Sequence, residues 1–362
     1  MIEASATDSG PTHRHDWAIQ LSDLGRTWLR PSRDVVPGYA LPLSDIIAVT
    51  DRIADQNGGN RATRRWRSPA VVATFVVGLV ATLCGGTLLL FAFPDLTTIG
   101  RLSADAGVPL AALGVPLFLG GATLLRRAER IMQPTARETL IEDQRPPILY
   151  LRSFLDDDAV LPEAGNGLRG EVETHAAGFE VMLAGQLRRF GPLIAIGKPG
   201  EGLSRLGASR SYFQDDEWQG AIRGWMDEAR LIAVMVGFTH GVHWEIGQLL
   251  ERGHLGKVVF IFPPRGAAFT VLDDNERARR HAVVRESLAA TPLGSALRDI
   301  AFENLVAFHT RADGGIVDMH STDECAFDYA LAVDLAAYGL LANETDGSSG
   351  PTVRRSRTNA MN

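Results

Sequence analysis

The stretch AVVATFVVGLVATLCGGTLLLFAF, residues 70–93, contains no charged side chain, and a second uncharged stretch, residues 106–125, follows after only twelve residues. A helix needs about 20 apolar residues to cross a hydrocarbon core of roughly 30 Å, and both stretches reach that length. The pair therefore predicts transmembrane helices over residues 69–93 and 106–125, joined by a short external loop, residues 94–105. The alternative is a helical hairpin buried in a soluble core, although core helices are usually shorter and amphipathic.

Arginine residues flank the two stretches at their outer ends. Four precede the first stretch and three follow the second, namely Arg61, Arg64, Arg65, Arg67, Arg126, Arg127 and Arg130. Because arginine next to a span stays on the cytoplasmic side, both termini are predicted to be cytoplasmic. The first span begins behind a polar segment, so we expect no cleavable signal peptide. The sequence thus predicts a protein that crosses the inner or plasma membrane twice. The lipid bilayer is therefore one of its predicted partners.

The glycine pairs at residues 85–86 and 120–121 predict close contact between the two helices, and Pro109 and Pro116 predict a kink in the second. Glycines that merely face lipid are the alternative interpretation.

Composition restricts the function of the rest of the chain. The net charge of −7, with no basic stripe outside the membrane flanks, argues against nucleic acid as a partner. Cys84 lies in the first span and Cys325 lies far from it in the sequence, so neither a disulfide framework nor a cysteine metal site is expected. Residues 1–60 are predicted to be a polar cytoplasmic arm with one weak helix at residues 43–53. Residues 126–145 are predicted to be a polar connector, a helix that continues from the second span until Pro134.

After residue 146 short apolar runs alternate with amphipathic ones, which predicts a domain over residues 146–342. The predicted strands are residues 148–151, 192–196, 231–236, 257–262 and 304–308. The predicted helices are residues 171–190, 217–230, 277–290 and 323–341, and one that begins at residue 241 or 242 and ends at residue 252. Alternation of helices with continuously apolar strands is typical of a parallel sheet covered on both faces. Residues 343–362 lack core-forming residues and are predicted to be a disordered tail.

In an open parallel sheet, ligands bind outside the carboxyl ends of the strands, so the loops after the strands are the candidate sites. Arg152, after the first strand, could pair with a carboxylate or phosphate, and a solvated charged loop is the alternative. The loop after the second strand, residues 197–202, has neither the Walker A pattern nor the dinucleotide fingerprint. Its backbone N–H groups and Lys198 could still approach a phosphate, and a surface loop with glycines for turns is the alternative.

Glu245 is the sharper candidate, because it is predicted in the first turn of the helix after the third strand, beside Trp244 and near His240 and His243. A carboxylate there could bind ribose hydroxyls or stabilise an oxocarbenium-like centre during glycosidic cleavage. One alternative is an acid that complements the helix dipole, worth less than about 1 kcal/mol. The spacing is not His-Glu-x-x-His and no further ligand stands out, so no metal site is predicted.

These elements resemble the TIR domain, the Toll/interleukin-1 receptor homology domain. Residues 147–154, 191–201 and 215–218 are similar to bacterial membrane-anchored TIR-like proteins, and the resemblance covers about residues 146–310. It implies a flavodoxin-like fold and assembly through the domain surface. Some members of the family cleave NAD at the nicotinamide–ribose bond with a glutamate near the start of the third helix, which maps by position to Glu245.

The resemblance and the strand-end loops together predict one nucleotide site. Glu245 is its predicted catalytic residue, and the predicted ligand-binding residues are Arg152, Ser153, Gly197, Lys198, Gly200 and Trp244. Two departures from the family pattern bear on cleavage more than on the fold. The first strand leads into Tyr-Leu-Arg-Ser-Phe instead of the usual Phe-Ile-Ser-Tyr, and residues 239–241, Thr-His-Gly, replace the serine commonly found before the glutamate.

The sequence therefore predicts a flavodoxin-like, TIR-like α/β domain with a parallel sheet, C-terminal to a two-helix transmembrane hairpin. Its predicted function is to bind a nucleotide and hydrolyse an NAD-type N-glycosidic bond, with NAD as a substrate and no resident cofactor. The alternative is a non-catalytic signalling module that associates with itself or with a partner at the membrane. A transport accessory role is the weakest interpretation, since the spans contain no charged residue.

Overall fold

A computed structural model describes residues 18–21, 27–30, 69–92, 104–157, 161, 178–198, 200–201, 203–213, 217–264, 274–311, 314–321 and 324–346. The protein has a mixed α/β fold, with a seven-strand sheet of parallel and antiparallel strands and two apolar helices towards its N-terminal side. The weak helix predicted at residues 43–53, most of the predicted external loop and the tail beyond residue 346 lie outside these ranges.

The described helices are α1 (Pro69–Ala92), α2 (Ala104–Met132), α3 (Ala136–Glu142), α4 (Phe179–Leu187), α5 (Trp218–Glu228), α6 (His240–Glu251), α7 (Asp274–Ser287), α8 (Pro292–Asp299) and α9 (Ala326–Asp346). The described strands are β1 (Ala18–Leu21), β2 (Thr27–Arg30), β3 (Ile148–Leu151), β4 (Leu193–Ile196), β5 (Ser209–Ser211), β6 (Leu231–Met235), β7 (Val258–Ile261), β8 (Leu305–Thr310) and β9 (Ile316–His320). The chain divides into two compact units. The first comprises residues 1–60, 145–193 and 219–362, and the second residues 61–144 and 194–218.

In the first unit the strand order is β1-β2-β9-β8-β7-β6-β3. Strands β3, β6 and β7 are parallel neighbours, as predicted, whereas β8 is antiparallel to both β7 and β9. The prediction of a parallel sheet is therefore wrong at β8. One reason is the short connection to β9, in which the N–H of Arg311 donates to the carbonyl of Gly315 at 2.8 Å, because a tight hairpin can join only antiparallel strands.

Residues of the predicted polar arm also contribute to this unit. Strands β1 and β2 pair antiparallel with each other, and β2 pairs in parallel with β9. The expectation that residues 1–60 hold only one weak helix is therefore wrong for residues 18–21 and 27–30. Short strands of mixed polarity give little periodic signal, and only their pairing reveals them.

The central strands are built from consecutive apolar residues because both faces of the sheet are covered. Every residue of β3, β6 and β7 is buried. On one side α9 packs against α4, where the rings of Phe179 and Tyr329 meet edge-to-face with centroids 5.1 Å apart. The Tyr329 hydroxyl donates to the carbonyl of Phe262 at 2.8 Å, so this buried polar group is satisfied. Helix α9 continues to Asp346, five residues beyond its predicted end.

The second unit contains an antiparallel hairpin of α1 and α2, held together by glycine. A Cβ atom on Gly85 would lie 2.4 Å from the Phe118 backbone nitrogen, and one on Gly121 would lie 2.5 Å from the Thr82 backbone nitrogen. A Cβ on Gly120 would meet no described atom within 4 Å. The prediction of close helix contact is therefore confirmed, with one glycine of each predicted pair in the interface.

The glycine contacts repeat every seven residues, a spacing that was not predicted from the sequence. Gly78 and Gly85 on α1 approach Gly121 and Gly114 on α2, respectively. On α1 the buried positions Val71, Gly78, Gly85 and Ala92 continue this spacing. A strict seven-residue repeat keeps one seam of each helix in contact with its partner, and small residues on that seam let the backbones approach closely.

Away from this seam the hairpin exposes its apolar side chains. The two helices have mean hydropathies of 2.3 and 1.4 over their most apolar windows, and only 17% and 11% of those windows are buried. Val77, Leu83, Leu113 and Leu119 are among the exposed large side chains. Both helices are long and apolar enough to cross a membrane. Their exposure differs from that of core helices, so the described residues do not fit the alternative of a hairpin buried in a soluble core.

Candidate functional site

Two neighbouring parallel strands, β3 and β6, end at the same edge of the sheet. They pair directly, although β4 and β5 lie between them in the sequence. The chain continues from β3 into Arg152, Ser153 and a short 3-10 turn, Phe154–Asp156, and from β6 through Val236 into Gly237. A Cβ on Gly237 would lie 3.3 Å from the Cβ of Ser153, so the two strand-end loops are in contact. Ligands of open α/β sheets bind outside such carboxyl ends.

Arg152 is buried at this edge, where it contacts two carboxylates. Its Nε donates to Oδ1 of Asp157 at 2.7 Å and lies 3.4 Å from Oε2 of Glu180, and its side chain is 2% exposed. Burial alone would lower the pKa of Arg152, but Glu180 and Asp157 outweigh it, so the pKa is raised. The alternative of a solvated charged loop is therefore wrong for Arg152 and Asp157. Ser153 is also buried, and its hydroxyl accepts from the Leu155 N–H at 3.1 Å, which caps the 3-10 turn.

A second arginine, Arg280 on α7, joins the two strand-end loops. Its Nη1 and Nη2 donate to the two carboxylate oxygens of Asp156 at 2.9 and 2.7 Å, in the bidentate geometry that makes such pairs strong. Nη1 also donates to the carbonyl of Val236 at 2.6 Å, and Nη2 to Oε1 of Glu276 at 2.8 Å. Arg280 could not be predicted from the sequence, because it is one of several charged residues on a polar helix and belongs to no motif.

Glu245 is the sixth residue of α6, which begins at His240. It therefore lies in the second helical turn, and not in the first as predicted, so the alternative of an acid at the helix N-terminus is wrong. The residue is 8% exposed, and Oε2 has no hydrogen-bond partner among the described residues. Burial raises the pKa of Glu245 to about 8, while the positive charge of Arg152 acts in the opposite direction. The neutral acid therefore predominates at pH 7.

We call Arg152, Asp156, Asp157, Glu180, Glu245 and Arg280 the strand-end cluster. Two arginines and three of its acids hold one another in ion pairs, whereas Glu245 carries an unpartnered oxygen within the described part of the chain. A cation placed beside a neutral buried acid favours its ionised form. The cluster therefore contains a carboxyl group whose charge can respond to a positively charged ligand.

The side chain of Trp244, the neighbour of Glu245 in the chain, has different surroundings from that of Glu245. The Arg223 guanidinium of α5 lies 5.1 Å from the centroid of its ring, and Nε of Arg223 donates to Oε1 of Gln248 at 2.7 Å. Successive helical side chains project about 100° apart, which explains why the two residues have different surroundings. Across the described ranges, no group of three or more His, Cys, Asp or Glu residues could hold a metal ion.

The predicted glycine-rich loop belongs to the second unit. Gly197 is buried beneath Tyr212, because a Cβ there would lie 2.2 Å from Cε1 of that ring. Gly200 has φ +76°, a left-handed conformation that favours glycine, and Lys198 is exposed. The Tyr212 hydroxyl donates to Oε2 of Glu201 at 3.1 Å across the same loop. Packing and turn geometry thus account for both glycines, and phosphate binding by this loop stays a prediction.

The chain matches no protein-family model, no curated protein and no solved structure. The resemblance in the sequence and the strand-end cluster are therefore the two observations that bear on function.

Proposed function

We propose that this chain is a membrane-anchored, TIR-like protein with a flavodoxin-like α/β domain that binds a nucleotide and hydrolyses its N-glycosidic bond, with NAD as the substrate. The observation that carries the proposal is the buried Glu245 carboxyl, with its unpartnered Oε2 and a pKa raised to about 8, close to the carboxyl ends of β3 and β6. A strongly perturbed acid at such a position is a candidate functional group. Arg152 and Ser153 come from the same edge of the sheet.

The chemistry follows from the charge of the substrate. In NAD the nicotinamide ring is cationic, so it leaves as a neutral molecule when its bond to the ribose C1′ breaks, and no acid is needed to protonate it. Positive charge then develops on the ribose as an oxocarbenium ion. Water adds to C1′ and releases a proton, which gives nicotinamide and ADP-ribose.

Glu245 would act through its change of charge. The cationic ring of the arriving substrate lowers the pKa of the Glu245 carboxyl and ionises it. The resulting carboxylate stabilises the oxocarbenium ion in a site from which water is largely excluded. Arg152, fixed by Asp157 and Glu180, keeps the pKa of Glu245 from rising further, so that ionisation stays accessible near neutral pH.

The test is nicotinamide release by the full chain in lipid nanodiscs supplied with NAD. We expect wild-type turnover, and a loss of about 100-fold or more for Glu245→Gln, which has the same shape but cannot ionise. Glu286→Gln, an exposed acid on α7, is the matched control and should leave turnover unchanged. Absence of wild-type turnover with NAD and with related nucleotides overturns the catalytic proposal.

One observation favours the alternative of a non-catalytic assembly module. Arg152 pairs with Asp157 and Arg280 pairs with Asp156, so both arginines are already engaged by carboxylates of the protein itself. In that case the chain should self-associate in nanodiscs to the same extent for wild type and for Glu245→Gln, and neither protein should bind NAD.

The proposed location is the inner face of the membrane, with both termini cytoplasmic. The exposed apolar surface of α1 and α2 and the flanking arginines support it. In a background with Cys84 and Cys325 replaced by alanine, Thr98→Cys should react with a membrane-impermeant thiol reagent added to intact cells. Ser287→Cys should react only after lysis, and the reverse pattern would contradict the orientation.

A further inference from the structure

Helix α2 continues past the uncharged stretch of the second span. The last uncharged residue of the span is Leu125, and the helix continues without interruption for seven residues to Met132. At 1.5 Å per residue this extension is about 10 Å long. Its end packs against the start of α1, where Ala128 and Met132 form a small cluster with Val71. The extension is therefore a rigid continuation of the hairpin.

One side chain in the last turn of this extension and one directly after its end bind one segment of backbone, residues 203–208. Arg130 donates from Nε to the carbonyl of Ser204 at 2.9 Å and from Nη2 to the carbonyl of Leu203 at 2.5 Å. Gln133, three residues later, donates from Nε2 to the carbonyls of Gly207 at 2.8 Å and Ala208 at 3.4 Å. We call Arg130 and Gln133 the clamp. It binds four carbonyl groups at the two ends of a single short segment.

The bound segment lies within the connection from β4 to β5, and Nε of its Arg205 lies 3.4 Å from Oε1 of Glu201 in the glycine-rich loop. Glu201 accepts from Nη1 of the buried Arg210 at 3.1 Å and from the hydroxyl of Tyr212 at 3.1 Å. The ring of Tyr212 covers Gly197. Independently, residues 194–218 group with the hairpin in one compact unit. A continuous series of contacts therefore runs from α2 to the loop after β4.

A tilt of the second span must reach this loop. Spans tilt by about 20° on average and change their tilt with bilayer thickness. A change in tilt of about 20° over a 10 Å extension displaces its end by about 3 Å. A hydrogen bond of about 2.9 Å does not survive that displacement, so either the segment moves with the helix or the clamp opens.

We infer that the clamp makes α2 a lever, which transmits changes of the bilayer to the loop after β4. Arg130 is suited to this role because its planar guanidinium binds two successive carbonyls, which a lysine ammonium cannot do with the same geometry. Because the clamp binds backbone carbonyls, its action does not depend on the side chains of residues 203–208. The inference stands apart from the proposed catalysis, since none of these residues belongs to the strand-end cluster.

The test is hydrogen–deuterium exchange of the full chain in nanodiscs made from short-chain or long-chain phosphatidylcholine. In the wild type, exchange within residues 203–213 should differ between the two bilayers by about tenfold, the effect of losing one charge-assisted hydrogen bond. In the double variant Arg130→Ala, Gln133→Ala the difference between bilayers should disappear. Arg127→Ala, an exposed arginine of the same helix, is the control and should behave as the wild type does.

Protection of the buried strand β3 in the same experiment shows that each variant is folded. If the double variant does not fold, Arg130→Lys should reduce the difference between bilayers, because lysine retains the positive charge but lacks the planar guanidinium that binds two carbonyls. Equal exchange of residues 203–213 in both bilayers for the wild type overturns the inference. A difference that persists after removal of the clamp overturns it as well.

Discussion

Replacing Glu245 by glutamine should change how the stability of the protein depends on pH. The buried carboxyl has a pKa of about 8 in the folded protein against an ordinary value of 4.5, mainly because burial disfavours the charged form. Below pH 4.5 both folded and unfolded states hold the proton, and the acid costs nothing. As the pH rises towards 8, the unfolded state releases its proton while the folded state retains it, so the free energy of unfolding falls.

The magnitude follows from the distance between the two pKa values, about three and a half pH units. At 1.36 kcal/mol per unit, the folded protein should lose about 5 kcal/mol of stability between pH 4 and pH 9 through this one group. At pH 7 the loss is about 3 kcal/mol. Glutamine does not titrate, so Glu245→Gln should not show it. Burying the extra amide donor has its own cost of about 1–3 kcal/mol, but that cost does not vary with pH.

The assay is denaturant unfolding of the full chain in nanodiscs, followed by tryptophan fluorescence at pH 5, 6, 7 and 8. The difference in unfolding free energy between wild type and Glu245→Gln should shift by about 1 kcal/mol per pH unit in favour of the variant. Glu286→Gln, which replaces an exposed acid, should have an unfolding free energy that depends on pH as the wild type's does. A difference between wild type and Glu245→Gln that stays constant from pH 5 to pH 8 would refute a buried, protonated Glu245.

Two further predictions concern the packing of each unit. Gly121→Leu should open the hairpin and lower its thermal stability in detergent, because a Cβ at residue 121 would lie 2.5 Å from the backbone of the other helix. Gly120→Leu is the control and should be tolerated. Equal melting temperatures for the two variants would contradict the seven-residue seam. Arg280→Met should cost about 3–5 kcal/mol in the unfolding of the full chain, since it leaves the buried Asp156 carboxylate unpaired. The exposed Arg279→Met is its control, and a similar small loss for both would show that Arg280 does not join the strand-end loops.

Much of the fold could be predicted from the sequence, because runs of apolar residues indicate buried strands and helices. Strand β3 was predicted with its observed bounds, and β6 and β7 within one residue at each end, since strands covered on both faces are apolar throughout. Strands β5 and β9 were not predicted. They are short and contain polar residues, such as Arg210 and Asp318, so only their pairing with β4 and β8 identifies them as strands.

The same distinction holds for the candidate site. The general rule for strand-end loops was enough to single out Arg152 and Glu245, which the first unit places within electrostatic reach of each other. It did not reveal Glu180 or Arg280, because these residues come from α4 and α7 and reach the cluster only through tertiary packing. The start of α6 also affected the prediction. The helix begins earlier than predicted, so Glu245 lies in the buried second turn and not in the first.

The central claim is that Glu245 acts on a nucleotide by changing its charge, and the pH dependence of kcat/KM tests it most directly. This parameter reports the ionising groups of the free enzyme. For NAD hydrolysis by the full chain in nanodiscs, kcat/KM should rise with pH to a plateau, with an apparent pKa near that of Glu245, about 8, and Glu245→Gln should show neither the activity nor the rise. A profile that is flat through pH 8, or one that Glu245→Gln reproduces, would contradict the account.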